Sequence, residues 1–187
     1  FVTGDANHGG ISGSTLSGPE NLYTEAGKLV VADYGNSRVL IWNTFPTTNG
    51  QSADVVVGQP NMSSNTPNNG GLSAKSLSWP YDAILSNGKL IVTDYDNNRI
   101  LIFDSIPQVD FAEADHVIGQ ETMSTDDNNH AGLSASSLRC PLKSTVDEYG
   151  HLWVMDSCNQ RVMMWDSIPS SDFATADVVI GQPNFVS

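Results

Sequence analysis

Three times along the chain an apolar run rich in β-branched residues meets the polar string Asp-x-x-Asn-x-Arg and then a second apolar run. Residues 28–42 read KLVVADYGNSRVLIW, residues 89–103 KLIVTDYDNNRILIF and residues 151–165 HLWVMDSCNQRVMMW. Short apolar runs bounded by turn residues predict strands, so each copy is read as a β-hairpin. Asp33, Asp94 and Asp156 end the first strand, where a short carboxylate can accept hydrogen bonds from turn amides. Asn36, Asn97 and Asn159 fall where the turn is expected to need a left-handed backbone. Arg38, Arg99 and Arg161 open the second strand, within reach of a carboxylate of their own or a neighbouring unit. All of these are read as structural turn residues.

The spacing is regular: 61 residues separate Asp33 from Asp94 and 62 separate Asp94 from Asp156. Pro19, Pro80 and Pro141 precede the hairpins, Pro46, Pro107 and Pro169 follow them, and a Gly-Gln pair recurs at Gly58, Gly119 and Gly181. One further apolar run lies before each hairpin (residues 21–24, 82–85 and 143–146) and one after it (54–57, 115–118 and 177–180). Four strands per unit, repeated with turn residues between them, predict β-propeller blades. The units are 1–61, 62–122 and 123–187, and the expected fold class is an all-β propeller segment of three blades.

The string GKLVVADYGNSRVLIW resembles the NHL repeat, with its glycine, its Val-x-Asp strand end, its Asn-x-Arg turn and its following apolar strand. The flanking ADVVIGQPNF and the recurring NNGGLSA segment are similar to a long-repeat variety found in bacterial surface and secreted proteins. What the resemblance implies is the fold. NHL propellers include ligand binders, protein and RNA binders and a few lyases, so an activity does not follow from it.

Three blades are too few to close a ring, since closed propellers use four to eight. The chain is therefore expected to be half of a six-bladed ring or part of a longer array, completed head-to-tail by further blades from the same or another chain. Residues 185–187, Phe-Val-Ser, match residues 1–3, Phe-Val-Thr, so the chain ends in the phase at which it begins. It opens on Phe1 without an initiator Met, which marks it as mature, excised or partial.

Eight Lys plus Arg against 21 Asp plus Glu give a formal charge of −13, which repels a phosphate backbone, so no nucleic-acid partner is expected. No apolar stretch is long enough to span a membrane. Cys140 and Cys158 stand just before the first strand and in the hairpin turn of the third unit, at one end of the predicted blade. The matching positions hold Gly18 with Gly35 and Trp79 with Asp96, so the cysteines occur as a pair. A disulfide is the economical reading, two unpaired thiols the alternative; a disulfide implies an oxidising, extracellular or cell-surface location.

The connecting loops run to about twenty residues and call for a reason. Residues 73–77 are expected to form one helical turn capped by Ser73, with Leu72 and Leu77 packing onto the blade. In a propeller these loops share a face with the hairpin turns, so Asn68, Asn69, Asn128, Asn129 and His130 mark the expected binding face for a protein or carbohydrate ligand. Trp42, Phe103 and Trp165 are read as filling the space between blades. Asn61 heads an Asn-Met-Ser glycosylation sequon.

No nucleophile elbow, phosphate loop or metalloprotease helix is present in the sequence, and the four histidines keep no catalytic company. Asp94-x-Asp96-Asn97 and Asp126-Asp127-Asn128-Asn129 carry oxygen ligands but lack the glycine and distal glutamate of a calcium loop. Inner-strand positions Asn21, Asp82 and Lys143 differ in every unit, and Lys143 opposes a cation. The expectation is a non-enzymatic binding or scaffolding module without cofactor, catalytic residue or metal ligand. The alternatives are an NHL-type lyase with a metal in the central channel and a structural subunit of an extracellular filament.

Overall fold

The computed structural model describes residues 4–187. Among them lie strands β1 (Pro19–Glu25), β2 (Lys28–Asp33), β3 (Arg38–Trp42) and β4 (Val55–Val57); β5 (Pro80–Ser86), β6 (Lys89–Asp94), β7 (Arg99–Phe103) and β8 (His116–Ile118); and β9 (Pro141–Val146), β10 (Leu152–Asp156), β11 (Arg161–Trp165) and β12 (Val178–Ile180). Each set of four forms one antiparallel sheet in chain order, a propeller blade. The hairpin register pairs Asp33 with Arg38, Asp94 with Arg99 and Asp156 with Arg161.

The hairpin turns differ in two respects from the sequence expectation. Each is a short 3-10 turn, Tyr34–Asn36, Tyr95–Asn97 or Ser157–Asn159, and the left-handed residue is the next one, Ser37, Asn98 or Gln160, at φ 49°, 52° and 53°. The asparagine is needed elsewhere. Asn97 Nδ2 donates to Asp94 Oδ2 at 2.7 Å and to Asn68 Oδ1 at 2.9 Å, and the other two copies do the same. The backbone amide each aspartate accepts comes from the segment before the blade, Ser17, Ser78 or Arg139, at 2.7–2.8 Å, rather than from the turn itself.

First strands β1, β5 and β9 face one another, with β5 packed on β1 and β2 and β9 on β5 and β6. Two apolar layers lie between the blades. Val30, Val39, Ile41 and Val57 of the first blade meet Leu85, Leu90, Leu101 and Phe103 of the second. Ile84, Ile91, Ile100 and Ile102 meet Leu152, Val154, Met163 and Trp165 of the third. At each junction a loop leucine seats on the glycine of the previous blade's Gly-Gln pair: a Cβ on Gly58 would lie 2.6 Å from Leu77 and one on Gly119 2.9 Å from Leu138. That close approach, with φ of +90° and +93°, is why glycine stands there.

Two blade faces lack a neighbouring blade among the described residues. On the first blade, Val31, Leu40, Trp42 and Val56 form a buried layer roofed by Leu16, Leu29 and Met62 of the same unit and its loops. On the third, Met155, Val178 and Ile180 are 45%, 41% and 52% exposed. Phe103 and Trp165 thus lie between blades, whereas Trp42, their counterpart, belongs to an end face.

Cys140 and Cys158 are disulfide-bonded, with Cα atoms 5.4 Å apart. The bond doubles a backbone link that recurs in the other units, Cys158 N to Arg139 O here and Gly35 N to Ser17 O and Asp96 N to Ser78 O there. Residues 73–77 form a single turn rather than a helix: Ser76 N donates to Ser73 O at 3.4 Å, Ser73 Oγ caps it by accepting from Lys75 N at 3.3 Å, and Ser76 Oγ accepts from Ser73 N at 2.9 Å. Leu77 is fully buried, while Leu72 stays half-buried. No helix among the described residues is long and apolar enough to cross a membrane.

Candidate functional site

The buried Asp-Asn-Arg triplets build the face that carries the loops. Arg99 Nε donates to Asp94 Oδ2 at 2.8 Å with both side chains fully buried. Its Nη1 donates to Met123 O at 2.6 Å and its Nη2 to Ser73 O and Ser76 O at 3.1 and 2.9 Å. Arg38 and Arg161 repeat the pattern on Met62, Ser12 and Thr15 and on Phe185, Ser134 and Ser137. Each guanidinium therefore ties a hairpin turn to both connecting loops of its blade. Burial pushes the Asp94 carboxyl up, and Arg99, Asn97 and the Ser78 amide pull the other way.

The polar residues singled out on this face are placed differently from one another. Asn68 exchanges amide hydrogen bonds with Asn97 at 2.8 and 2.9 Å, and Asn129 does so with Asn159 at 3.1 and 2.7 Å, so both side chains hold the loop to the turn. Asn69 Nδ2 donates to Gln59 Oε1 at 3.2 Å. His130 sits between Asp127 at 3.0 Å and Glu121 at 3.4 Å, edge-on to Phe173, and those hydrogen bonds raise its pKa. Asn128 is exposed and lines a cleft of about 390 Å³ with Tyr95, Asp96, Asn98, Asp126 and Asp127. Asn61 is exposed on another loop, its Oδ1 accepting from Ser63 and Ser64.

Beside that cleft runs a strip of aromatic rings that pattern reading of the sequence did not single out. Tyr34 and Trp79 stack at 5.8 Å, Tyr81 stands edge-on to Tyr34 at 5.8 Å and 78°, and Tyr95 tilts toward Tyr81 at 5.8 Å. The signal was available as a departure from the repeat: Trp79 and Tyr81 occupy positions held by Gly18 and Glu20 in the first unit and by Cys140 and Leu142 in the third. The phenols lie in a negative field. Glu20, which accepts a hydrogen bond from Tyr81, raises the pKa of that tyrosine, and burial followed by Tyr95 and Asp96 raises that of Tyr34.

The inner strands hold a second polar group. Asp82 is 1% exposed; its Oδ1 accepts from Asn21 Nδ2 and its Oδ2 from Ser144 N at 2.8 Å and Ser144 Oγ at 3.3 Å. Both carboxylate oxygens are thus engaged in stitching β1, β5 and β9 together. Among the described residues, no group of three or more His, Cys, Asp or Glu side chains converges as a metal would require. With Asp82 occupied and Lys143 alongside, the inner-strand donors do not fit the channel metal of a lyase.

The family model of the NHL repeat matches residues 83–103, which span most of β5 and all of β6 and β7. No curated protein matches the chain. Among solved structures, the crystal structure of Myxococcus xanthus glutaminyl cyclase is similar at a TM-score of 0.48 and 10% identity, over 89% of this chain and 55% of that one. This chain therefore spans little more than half the length of that enzyme.

Proposed function

We propose that this chain, a three-bladed segment carrying an NHL repeat, is a non-enzymatic extracellular or cell-surface module that completes its propeller head-to-tail with a second copy and presents the loop face as a binding platform. The reading rests on the equivalence, in the repeat, of the two end-blade faces to the two buried junctions. Val31, Leu40 and Trp42 on the first blade are the repeat counterparts of Val92, Leu101 and Phe103, which the preceding blade covers. Val162, Met164 and Ile180 on the third are the counterparts of Ile100, Ile102 and Ile118, which the following blade covers.

Polar contacts at the junctions support the same register. Phe111 N donates to Val56 O at 3.0 Å while Val56 N donates to Asp110 Oδ1 at 2.9 Å, and Phe173 and Asp172 repeat this on Val117. The counterparts across the proposed junction are Gly50 and Asn49 of one copy and Val179 of the other, and Asn49 Oδ1 can accept as Asp110 does. Leu16 of one copy would seat on Gly181 of the other, as Leu77 does on Gly58. The disulfide supports an oxidising location.

Native mass spectrometry of the 187-residue chain is the test. Twice the chain mass is the expected result, with Ile180→Glu reverting it to a folded monomer, because position 180 is half exposed in the single chain and buried in the pair. A wild-type chain that stays monomeric at high micromolar concentration overturns the association.

A further inference from the structure

We infer that the aromatic strip on the loop face and the acidic cleft beside it form one binding site for a basic peptide segment, with a lysine or arginine side chain on the rings and a second in the cleft. The inference deepens the platform reading above and rests on it. The rings first supply shape. Tyr34 and Tyr81 meet at 78°, so together with Trp79 they make a corner, and a cation seated there is met by more than one ring.

Charge selects the occupant. Glu20 and Asp96 flank the rings, and Asp96, Asp126 and Asp127 line the adjoining cleft, among whose lining residues there is no Lys or Arg. Five of the eight Lys and Arg are engaged elsewhere: Arg38, Arg99 and Arg161 are buried against their aspartates, Lys89 pairs with Asp104 and Lys75 with Glu113, while the exposed Arg139 stands next to the cleft-lining Cys140 without lining the cleft itself. Tyr95 belongs to both halves, touching Tyr81 on one side and lining the cleft on the other, so the site is continuous. A neutral sugar would stack on the rings and donate hydroxyl hydrogen bonds to the carboxylates but leave their charge uncompensated; a guanidinium or ammonium gains from the rings and neutralises the carboxylates as well.

Trp79 points the same way. It is a bulky residue at φ 50°, 41% exposed, where the first unit places Gly18 at φ 54°. Cys140 holds the same position in the third unit at φ 50°, so the left-handed backbone belongs to the repeat, and what the second unit adds is an exposed indole stacked on Tyr34.

The probe is a fluorescein-labelled hexapeptide of alternating Lys and Gly, followed by anisotropy in physiological salt. Micromolar binding is expected, weakened at least tenfold by Trp79→Gly, which installs the residue of the first unit, and by the double change Asp96→Asn with Asp127→Asn. Glu148→Gln, which removes a charge from the opposite rim, should leave it unchanged. Equal weakening by Glu148→Gln would mean attraction by overall charge and overturn the proposal. So would preferential binding of a neutral oligosaccharide lost in Trp79→Gly, an outcome that leaves the platform reading standing, and so would no binding of the peptide. Native mass on the same samples reads the head-to-tail association independently.

Discussion

Arg99 shows most directly how one side chain serves several elements. Its guanidinium is fully buried, neutralises Asp94 and donates to three carbonyls on two loops. Removing it strands a buried carboxylate and leaves those carbonyls without their donor, a class of loss worth about 3–5 kcal/mol. Arg99→Ala should lower the urea midpoint accordingly, and Arg99→Lys should recover only part, because an ammonium cannot span the fork; a loss below about 1 kcal/mol would show the network to be dispensable. Asp82 makes the opposite case. Desolvation raises its pKa against the pull of Ser144, Lys143 and Asn21. A carboxyl with a raised folded-state pKa contributes stability that is present below the unfolded value, near pH 4, and lost as pH rises through the folded value. Stability measured by urea titration from pH 4 to pH 7 should therefore fall less steeply in Asp82→Asn than in the wild type. Equal slopes would mean that Asp82 ionises freely.

At the scale of the element, the hairpin and the inter-blade loop are one unit. The aspartate ends the strand, the 3-10 turn presents the asparagine, and the asparagine holds the loop of its own blade. That arrangement explains why the loops hold their course with little regular structure of their own. The third blade adds the Cys140–Cys158 disulfide at the point where the other two rely on a backbone hydrogen bond. Closing a loop of 18 residues should contribute about 3 kcal/mol. Denatured, unreduced protein should show no free thiol, and reduction should lower stability by about that amount, with hydrogen exchange rising first in β9 and β10. Two labelled thiols would remove the bond and with it the support for an oxidising location.

For the whole molecule, the end-blade faces decide behaviour. Each buried Leu, Ile, Val or Phe side chain at an internal junction is worth roughly 1.5–3 kcal/mol, so the third blade's face, where Met155, Val178 and Ile180 stay exposed, leaves several such contributions unrealised. Apolar area of this kind drives association, and the repeat supplies its complement at the other end of the chain. Blade number, strand order, hairpin positions and the pairing of Cys140 with Cys158 were legible in the sequence, because strands, turns and the repeat are local and recur. The residue that turns left-handed was missed, since the choice between Asn97 and Asn98 depends on where the Asn97 amide finds Asn68, 29 residues away. For the same reason Asn68 and Asn129 looked like exposed binding residues, and only the folded chain spends them on the turns. The aromatic corner is the clearest example: Tyr34, Trp79, Tyr81 and Tyr95 are scattered over two repeats and meet because β1 and β5 pack side by side. What repeats along the chain is set by local chemistry; what departs from the repeat acquires its meaning only when neighbouring blades bring the departures together.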